Sequence, residues 1–188
     1  MIIESLVTTM DATGQVNLAP MGVEWDGTIV LKPFLDTTTF RNLAATRAAV
    51  LHLTDDVLLF VHAALGEPRF EWHAAAAVRG AVLDDACSWR ELEVTTIDDS
   101  PPRARVGTRV AAEGRGREFL GFNRARHAVL EGTILATRLH LIAAEDVGAE
   151  FTRLAVPVEK TAGPREREAW AWLVEYVRAR GVPVGAAA

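Results

Sequence analysis

"VNLAPMGVEWDGTIVLKPFLDTTTFRNL", from Val16 to Leu43, is the stretch that decides the fold. Asp26-Gly27 lies between two runs rich in apolar residues, and Asp-Gly is a strong signal for a tight hairpin turn. We therefore predict antiparallel strands at Val16–Trp25 and Thr28–Phe34. Pro20 interrupts the first of them. Because proline has no N–H to donate to a ladder, this strand must either bulge or lie at a sheet edge there.

Three threonines, Thr37, Thr38 and Thr39, follow the second strand and open a segment, Thr38–Thr46, that fits a short helix. Asp36 or either of the first two threonines is a suitable N-cap. The same group is also suited to a phosphate monoester, which binds hydroxyls and backbone N–H groups at the positive end of a helix dipole. Arg41 would add a charge-assisted contact. Capping and phosphate binding are both open interpretations.

The turn-like segment Asn17-Leu-Ala-Pro-Met-Gly22 has the residues that a bulge requires. A bulged strand leaves backbone N–H and C=O groups unused by the ladder, and the edge of a flavin ring needs such donors and acceptors. Met21 offers a soft apolar contact for a ring face. A purely structural bulge at a barrel corner explains the same residues, so flavin contact is one of two interpretations.

The rest of the chain carries further strand and helix signals. We predict strands at Ile3–Met10, Ala49–Leu53, Gly80–Ala86, Trp89–Thr96 and Arg105–Glu113, and helices at Val57–Leu65, Arg124–Thr137 and Pro164–Arg180. Leu139–Ala143 is a further strand candidate, and Glu145–Leu154 is helical or mixed. The pattern changes near residue 119. We therefore expect a barrel region at 1–118 and a helical elaboration at 119–188 packed on it as a single compact unit, with residues 185–188 frayed.

Composition limits the class of protein. The chain has 188 residues, 49% of them hydrophobic, and a net charge of −5, which favours a folded domain without the clustered basic surface of nucleic-acid binders. The densest basic stretch, Arg103 to Arg117, is interrupted by glycines and is expected to be an exposed hairpin or loop. The only cysteine, Cys87, cannot form a disulfide within the chain, which suits a reducing cytoplasm.

Membrane and metal binding are not expected. The apolar runs are too short for a membrane span, and the first four residues lack the pattern of a signal peptide. The histidines show no metal-ligand spacing. We therefore expect a cytoplasmic protein without a metal site.

Taken together, these segments resemble the FMN-binding split barrel of flavin reductases and pyridoxamine-phosphate-oxidase-like proteins. The most similar branch is catalogued only as a domain of unknown function, and its members bind FMN. The resemblance is carried by "VTT", "NLAPMGV", "LKPFLDTTTFRNL", "LTDDVLLFVHAAL", "FLGFNRARHAVLEGTILATRL" and "VEKTAGPREREAWAWLVEYVRARG". It covers nearly the whole chain, and its specificity lies in the order and spacing of the motifs. It implies an α+β fold, an antiparallel split β-barrel with a C-terminal helical elaboration.

The resemblance also implies which residues bind FMN. Five residues of the second strand would line the ring, namely Asn17, Leu18, Ala19, Pro20 and Met21. Another four would hold the phosphate, namely Thr37, Thr38, Thr39 and Asn42. Lys32 or Arg41 would supply positive charge. Split-barrel flavoproteins are typically homodimers with FMN in the subunit cleft, and Asn123 and Arg124 are our candidates for a second-subunit or substrate-binding role. An N-cap and a solvated arginine are the alternative interpretation of this pair.

The implied function is flavin-dependent redox chemistry on a small cytoplasmic substrate. The branch occurs alongside tetrahydromethanopterin genes, and this association suggests pterin-linked one-carbon metabolism. A non-catalytic FMN carrier or assembly protein is the rival hypothesis, because no acid–base pair is recognisable and no catalytic residue is predicted. A split barrel that has lost FMN and binds haem or no ligand is a third.

Overall fold

The computed structural model describes residues 1–185 and contains eight strands and five helices in that part of the chain. Residues 186–188, where fraying is expected, lie outside the described residues. In chain order the elements are β1 (Ile2–Met10), β2 (Val16–Asp26), β3 (Thr28–Leu31), α1 (Thr38–Thr46), β4 (Ala48–Leu53), α2 (Val57–Leu65), β5 (Trp72–Ala74), β6 (Ala81–Leu83), β7 (Ser88–Asp98), β8 (Arg105–Arg115), α3 (Arg124–Ala136), α4 (Ala144–Thr161) and α5 (Pro164–Arg178).

Six of the strands close into an antiparallel barrel in the order β1-β2-β3-β8-β7-β4, and β5 and β6 form a separate two-stranded hairpin. The chain divides into two compact units: residues 1–54 with 70–119, and residues 55–69 with the chain from 120 onward. The first unit holds the barrel, α1 and the hairpin, and the second holds α2 to α5. Helix α2 therefore belongs to the helical unit. The expected packing of the helical part on the barrel stays a prediction.

The interior of the barrel is filled by apolar side chains from every second strand residue. The buried cluster consists of Val7, Val23, Ile29, Leu31, Leu43, Ala49, Leu51, Leu92, Val94, Ala104 and Val106. Leu43 belongs to α1, and this helix packs on β1, β2 and β4. Full burial of such a leucine stabilises a fold by roughly 1.5–3 kcal/mol, which is enough to fix α1 on the barrel.

Pro20 lies at a sheet edge, which is one of the two placements expected from the sequence. The β1–β2 ladder runs in unbroken register from Ile2↔Glu24 to Met10↔Val16, so the alternative, a bulge, is absent. β3 pairs with β2 only from Glu24 to Asp26. Within residues 1–185, no strand pairs with the other side of residues 16–23.

One expectation is wrong and another is resolved. Leu139–Ala143 forms turns and not a strand, because the elements of its unit among the described residues are all helices and provide no edge to pair with. The basic stretch after Arg103 is mostly strand β8, which pairs with β7 as a hairpin, one of the two forms expected for it. Its arginines are compatible with a strand because carboxylates pair with them, as Glu24 does with Arg105 at 2.7 Å.

His52 links the barrel to the β5–β6 hairpin. The Leu83 N–H donates to Nε2 of His52 at 3.1 Å. Nδ1 therefore carries the proton and donates to the Leu6 carbonyl at 3.2 Å. Burial lowers the pKa of His52 to about 4 from an ordinary value of 6.5. The neutral ring is thus the form that fits this position.

We expect the protein to lose stability on mild acidification through His52. A pKa that is lower in the folded state means that the contribution is complete above the unfolded pKa of 6.5 and is lost as the pH falls towards about 4. Urea unfolding should give a free energy about 2 kcal/mol lower at about pH 5 than at about pH 7.5 from this group. His52→Gln should lack this part of the pH dependence. An unchanged dependence in that variant would contradict the assignment.

The helical unit has its own apolar core and a buried ion cluster. Phe151 and Trp170 stack with ring centroids 5.2 Å apart inside that core. Arg126 of α3 pairs with Asp55, just before α2, and with Glu166 of α5 at 2.8 Å. Burial alone would raise the pKa of Glu166, but Arg126 and nearby N–H groups outweigh it and hold this pKa below its ordinary value. One guanidinium therefore joins the starts of three helices.

Arg126→Met should destabilise the protein by about 3 kcal/mol, because it removes the guanidinium that pairs with two largely buried carboxylates. Arg153→Met is the matched control, since Arg153 makes an exposed pair with Glu150 at 2.9 Å and should change stability by less than about 0.5 kcal/mol. Denaturant unfolding near neutral pH measures both. Equal effects of the two substitutions would contradict a structural role for the buried cluster.

Candidate functional site

The barrel opens where β2 and β3 separate. Pairing between them ends at Glu24↔Val30, although the same register, if continued, would place Thr37 opposite Asn17. Leu31 pairs with β8 instead, and a bridge joins Phe34 to Arg103 further along. We call the gap between residues 16–23 and 31–39 the split. The predicted cofactor residues of the barrel lie on its two sides or, in the case of Arg41 and Asn42, in the helix that follows.

The edge of β2 along the split carries backbone donors and acceptors. The Trp25 N–H donates to the Met1 carbonyl across β1 at 2.8 Å. Backbone direction alternates along an antiparallel strand, so Leu18, Pro20 and Gly22 direct their backbone groups away from β1. Pro20 fits this series because it has no N–H to leave unpaired. The donors and acceptors expected from a bulge are therefore supplied by an open strand edge.

The side chains of the five predicted ring-lining residues point to two faces. Asn17, Ala19 and Met21 share the face of Val7, which points into the barrel. Leu18 and Pro20 lie on the opposite face. A ligand at this edge can therefore meet the free backbone groups of Leu18 and Pro20 and, on the inner face, the side chains of Asn17, Ala19 and Met21.

Four side chains form a polar cluster at the inner side of the split. The Asn17 amide donates to Thr39 Oγ1 at 3.1 Å and to Thr9 Oγ1 at 3.4 Å. The Asn42 amide donates to Thr9 Oγ1 at 3.1 Å. Three members are buried, and Asn17 is half-buried. We call Thr9, Asn17, Thr39 and Asn42 the amide–hydroxyl cluster; it joins β1, β2 and α1.

The other two threonines have separate roles at the start of α1. Thr37 is the N-cap, and its hydroxyl accepts from the Phe40 N–H at 3.2 Å and donates to the Phe34 carbonyl at 2.7 Å. Thr38 is exposed, and its hydroxyl accepts from Arg41 at 2.8 Å. Arg41 also donates to the Asp36 carbonyl at 2.8 Å. The helix start thus presents an exposed hydroxyl and a guanidinium beside free backbone N–H groups.

Lys32 and Arg41 differ in their surroundings. Lys32 pairs with Glu24 at 2.8 Å, and Arg105 pairs with the other oxygen of the same carboxylate at 2.7 Å. Hydrogen bonds from Lys32 and then Arg105 lower the pKa of Glu24. Arg41 is exposed and bonds only to neutral oxygens of its own segment. Of the two predicted cations, Arg41 has the less neutralised charge.

Asn123 and Arg124 lie at the start of α3 in the helical unit. Asn123 Oδ1 accepts from the backbone N–H groups of Ala125 at 2.8 Å and Arg126 at 3.2 Å. Its amide donates to the Thr161 carbonyl at 3.0 Å. The capping interpretation of Asn123 thus describes its contacts. Arg124 is exposed, and its role at a second subunit stays a prediction.

Sequence reasoning missed two polar groupings. The pairing of Thr9 with Asn17 can be predicted from the sequence, because these two residues are opposite each other when the strands are counted back from the turn at residues 11–15. His73 Nδ1 and Asp84 Oδ1 lie 2.6 Å apart and are both exposed, and no local pattern indicates this pairing because it depends on the register of β5 with β6. Among the described residues no group of three or more candidate ligands is placed to hold a metal ion. None of the helices in that same range is long and apolar enough to cross a membrane.

Two family models match the chain. One, described as the N-terminal domain of a protein of unknown function (DUF447), matches residues 3–116. The other, described as a protein of unknown function (DUF447), matches residues 123–175. The chain matches no curated protein. The resemblance to a branch of unknown function is therefore confirmed at the level of the family.

Solved structures share the fold. The FMN-bound protein MM1853 from Methanosarcina mazei, of the same family model, is 22% identical, with 93% of this chain and 94% of that chain covered and a TM-score of 0.80. The 2-nitrobenzoate 2-nitroreductase NbaA from Pseudomonas fluorescens is 20% identical over 61% of this chain and 64% of that chain, with a TM-score of 0.53. The styrene monooxygenase flavin reductase from Pseudomonas putida is 15% identical over 60% and 80%, with a TM-score of 0.52. The predicted split-barrel fold is confirmed.

Proposed function

Since this chain belongs to the DUF447 family, we propose that it is an FMN-binding flavoprotein whose cofactor lies in the split. The observation that carries the proposal is the open edge of β2 facing the start of α1. An FMN-bound protein of the same family has this fold along nearly its whole length, which supports the assignment. Family and geometry thus favour the same ligand.

The residues of the split fit the two chemically different ends of FMN. The pyrimidine side of a flavin has both donors and acceptors, and the edge of β2 offers N–H groups from Leu18 and Gly22 beside free carbonyls. The phosphate is a dianion that suits the N-terminus of α1 with its dipole. Thr38 and Arg41 lie exposed at that terminus.

We assign a redox role to the bound cofactor. Bound FMN would supply the electron or hydride transfer, and the protein would supply position and electrostatics. Arg41 would offset the phosphate charge, and the edge of β2 would hold the ring in one orientation. A small substrate reaching the exposed ring face would make the protein an oxidoreductase. A place in pterin-linked one-carbon metabolism rests on gene association alone.

A non-catalytic FMN carrier is the second candidate, and one observation favours it. Residues 16–24 and 31–42 contain only four ionisable side chains, Glu24, Lys32, Asp36 and Arg41. None of these residue types has an ordinary pKa near neutrality. Reduction by NADH or NADPH, followed by reoxidation with a small acceptor at a rate above that of free FMN, would identify an enzyme. A carrier would show no such acceleration.

Titration of the apo-protein with FMN, followed by quenching of flavin fluorescence, tests the proposed function. We expect saturable binding at micromolar protein, and we expect Thr39→Ala to weaken FMN about ten- to a hundredfold. Thr39 Oγ1 accepts from Asn17, so its own hydrogen is left to donate to the phosphate. Riboflavin, which lacks the phosphate, should lose less affinity.

Thr46→Ala is the matched control, because this hydroxyl donates to the Asn42 carbonyl at the other end of the same helix. It should leave the affinity for FMN unchanged. Absence of saturable FMN binding to the unmodified protein would overturn the proposed function. An equal loss for FMN and riboflavin in Thr39→Ala would instead move Thr39 away from the phosphate.

We further propose a homodimer whose interface completes the flavin cleft. An open strand edge is normally covered in native proteins, and Phe34, Val110 and Leu120 are exposed apolar side chains that an interface would cover. A two-fold pairing would place the same segments of both chains around two equivalent sites. This arrangement would give exposed Arg124 a ligand to contact.

Light scattering should give twice the mass of one chain at micromolar concentration. Arg124→Glu should weaken FMN binding about tenfold or more, since it places a like charge near an anionic ligand, while circular dichroism stays unchanged. Arg153→Glu, on an exposed part of α4, is the control. A monomer that still binds FMN would refute both the dimer and the shared cleft.

A further inference from the structure

We propose that Thr9 is a positioning residue of the cofactor site, whose buried hydroxyl fixes the amides of Asn17 and Asn42 on the two sides of the split. This inference rests on the proposed function. It adds a residue that lies on neither side of the split, because β1 pairs with the opposite edge of β2.

The geometry makes Thr9 the centre of the amide–hydroxyl cluster. It lies directly opposite Asn17 in the β1–β2 ladder. Its single Oγ1 accepts from Asn17 at 3.4 Å and from Asn42 at 3.1 Å. One hydroxyl thus fixes the Asn17 amide on β2 relative to the Asn42 amide in α1, the helix whose N-terminus is the proposed phosphate site.

Burial separates this role from ligand contact. Thr9 is only 1% exposed and lies on β1, which pairs with the edge of β2 opposite the split, so we place it outside ligand contact. Asn17 is half-buried and therefore accessible. Without Thr9, its amide would keep one partner, Thr39, and would gain rotational freedom. Positioning through a second layer of hydrogen bonds is how a site keeps its geometry before a ligand arrives.

Packing alone does not explain a threonine at this position. The next pair along the same face, Val7↔Ala19, is apolar, and Val7 belongs to the barrel cluster. A valine at residue 9 would continue that pattern with the same shape. Buried hydroxyls are retained where they are hydrogen-bonded, and here both partners are predicted cofactor residues. The Thr9–Asn17 pair is thus a polar position beside an apolar one on the same face.

The neighbouring Thr8 provides a matched control. It is fully buried like Thr9, and its hydroxyl donates to the Ala81 carbonyl at 2.5 Å. It lies on the opposite face of β1, towards the β5–β6 hairpin. Thr8→Val and Thr9→Val therefore remove the same group from adjacent, equally buried positions, and only the second lies in the cluster.

The experiment compares FMN affinities of the unmodified protein, Thr9→Val, Thr9→Ser and Thr8→Val by fluorescence quenching. We expect Thr9→Val to weaken FMN binding about five- to tenfold, the effect of one neutral hydrogen bond. Thr9→Ser, which restores the hydroxyl, should bind within about twofold of the unmodified protein. Thr8→Val should keep its affinity although it lowers the melting temperature. Thr9→Ala carries the same test should the valine variant fail to fold.

A second measurement needs no ligand. The side-chain NH₂ resonances of Asn17 and Asn42 should shift in Thr9→Val and stay in place in Thr8→Val. If the resonances do not move in Thr9→Val, or if Thr9→Val binds FMN as tightly as the unmodified protein does, the role of Thr9 is overturned. Either result leaves the proposed function intact. Equal losses in Thr8→Val or Thr9→Ser would also overturn the role of Thr9. Failure of the unmodified protein to bind FMN would overturn the proposed function and the cofactor role of Thr9 together.

Discussion

The missing N–H of Pro20 constrains where β2 can stand in the sheet. A strand with a partner on both sides needs that donor, so β2 must have one open side at this residue. The open side lies along the split, because β3 leaves β2 at Glu24 and pairs with β8 instead. The divergence of the two strands satisfies this constraint, and α1 arrives beside Asn17 on the side that stays open.

The sequence predicted local features well. The Asp26-Gly27 turn and helices α1 and α2 occur where turn and cap residues indicate them, because this chemistry acts over a few residues. Closure of the barrel depends on contacts between distant segments, such as β1 with β4. Periodicity alone does not predict such contacts, and here they followed from the family resemblance. The strand prediction for Leu139–Ala143 failed for a related reason, since a strand forms only where another strand is available to pair with it.

The candidate site was predicted as a list of residues but not as an arrangement. The phosphate interpretation groups the three threonines together. In the structure Thr37 caps the helix, the Thr38 hydroxyl accepts from Arg41, and the Thr39 hydroxyl accepts from Asn17. Thr37 is the extended N-cap, and the helical residues after it point about 100° apart, so the three side chains have different partners within the chain. Lys32 was selected for its charge, and its neutralisation by Glu24 depends on the β2–β3 hairpin pairing. Residue type indicates what chemistry is available, and the direction of each side chain decides how it can be used.

The discontinuous helical unit has a consequence for synthesis on the ribosome. Helix α2 buries Val57, Leu58, Phe60 and Val61, and its unit is completed by the chain from residue 120 onward. At ordinary elongation rates, the roughly sixty residues between α2 and α3 take about 3–12 seconds to emerge. During that interval the nascent chain presents an apolar helix without its partners, while the barrel strands between them are still being made. The order of segments in this chain therefore leaves the apolar side chains of α2 without their partners in this unit until α3 has been made.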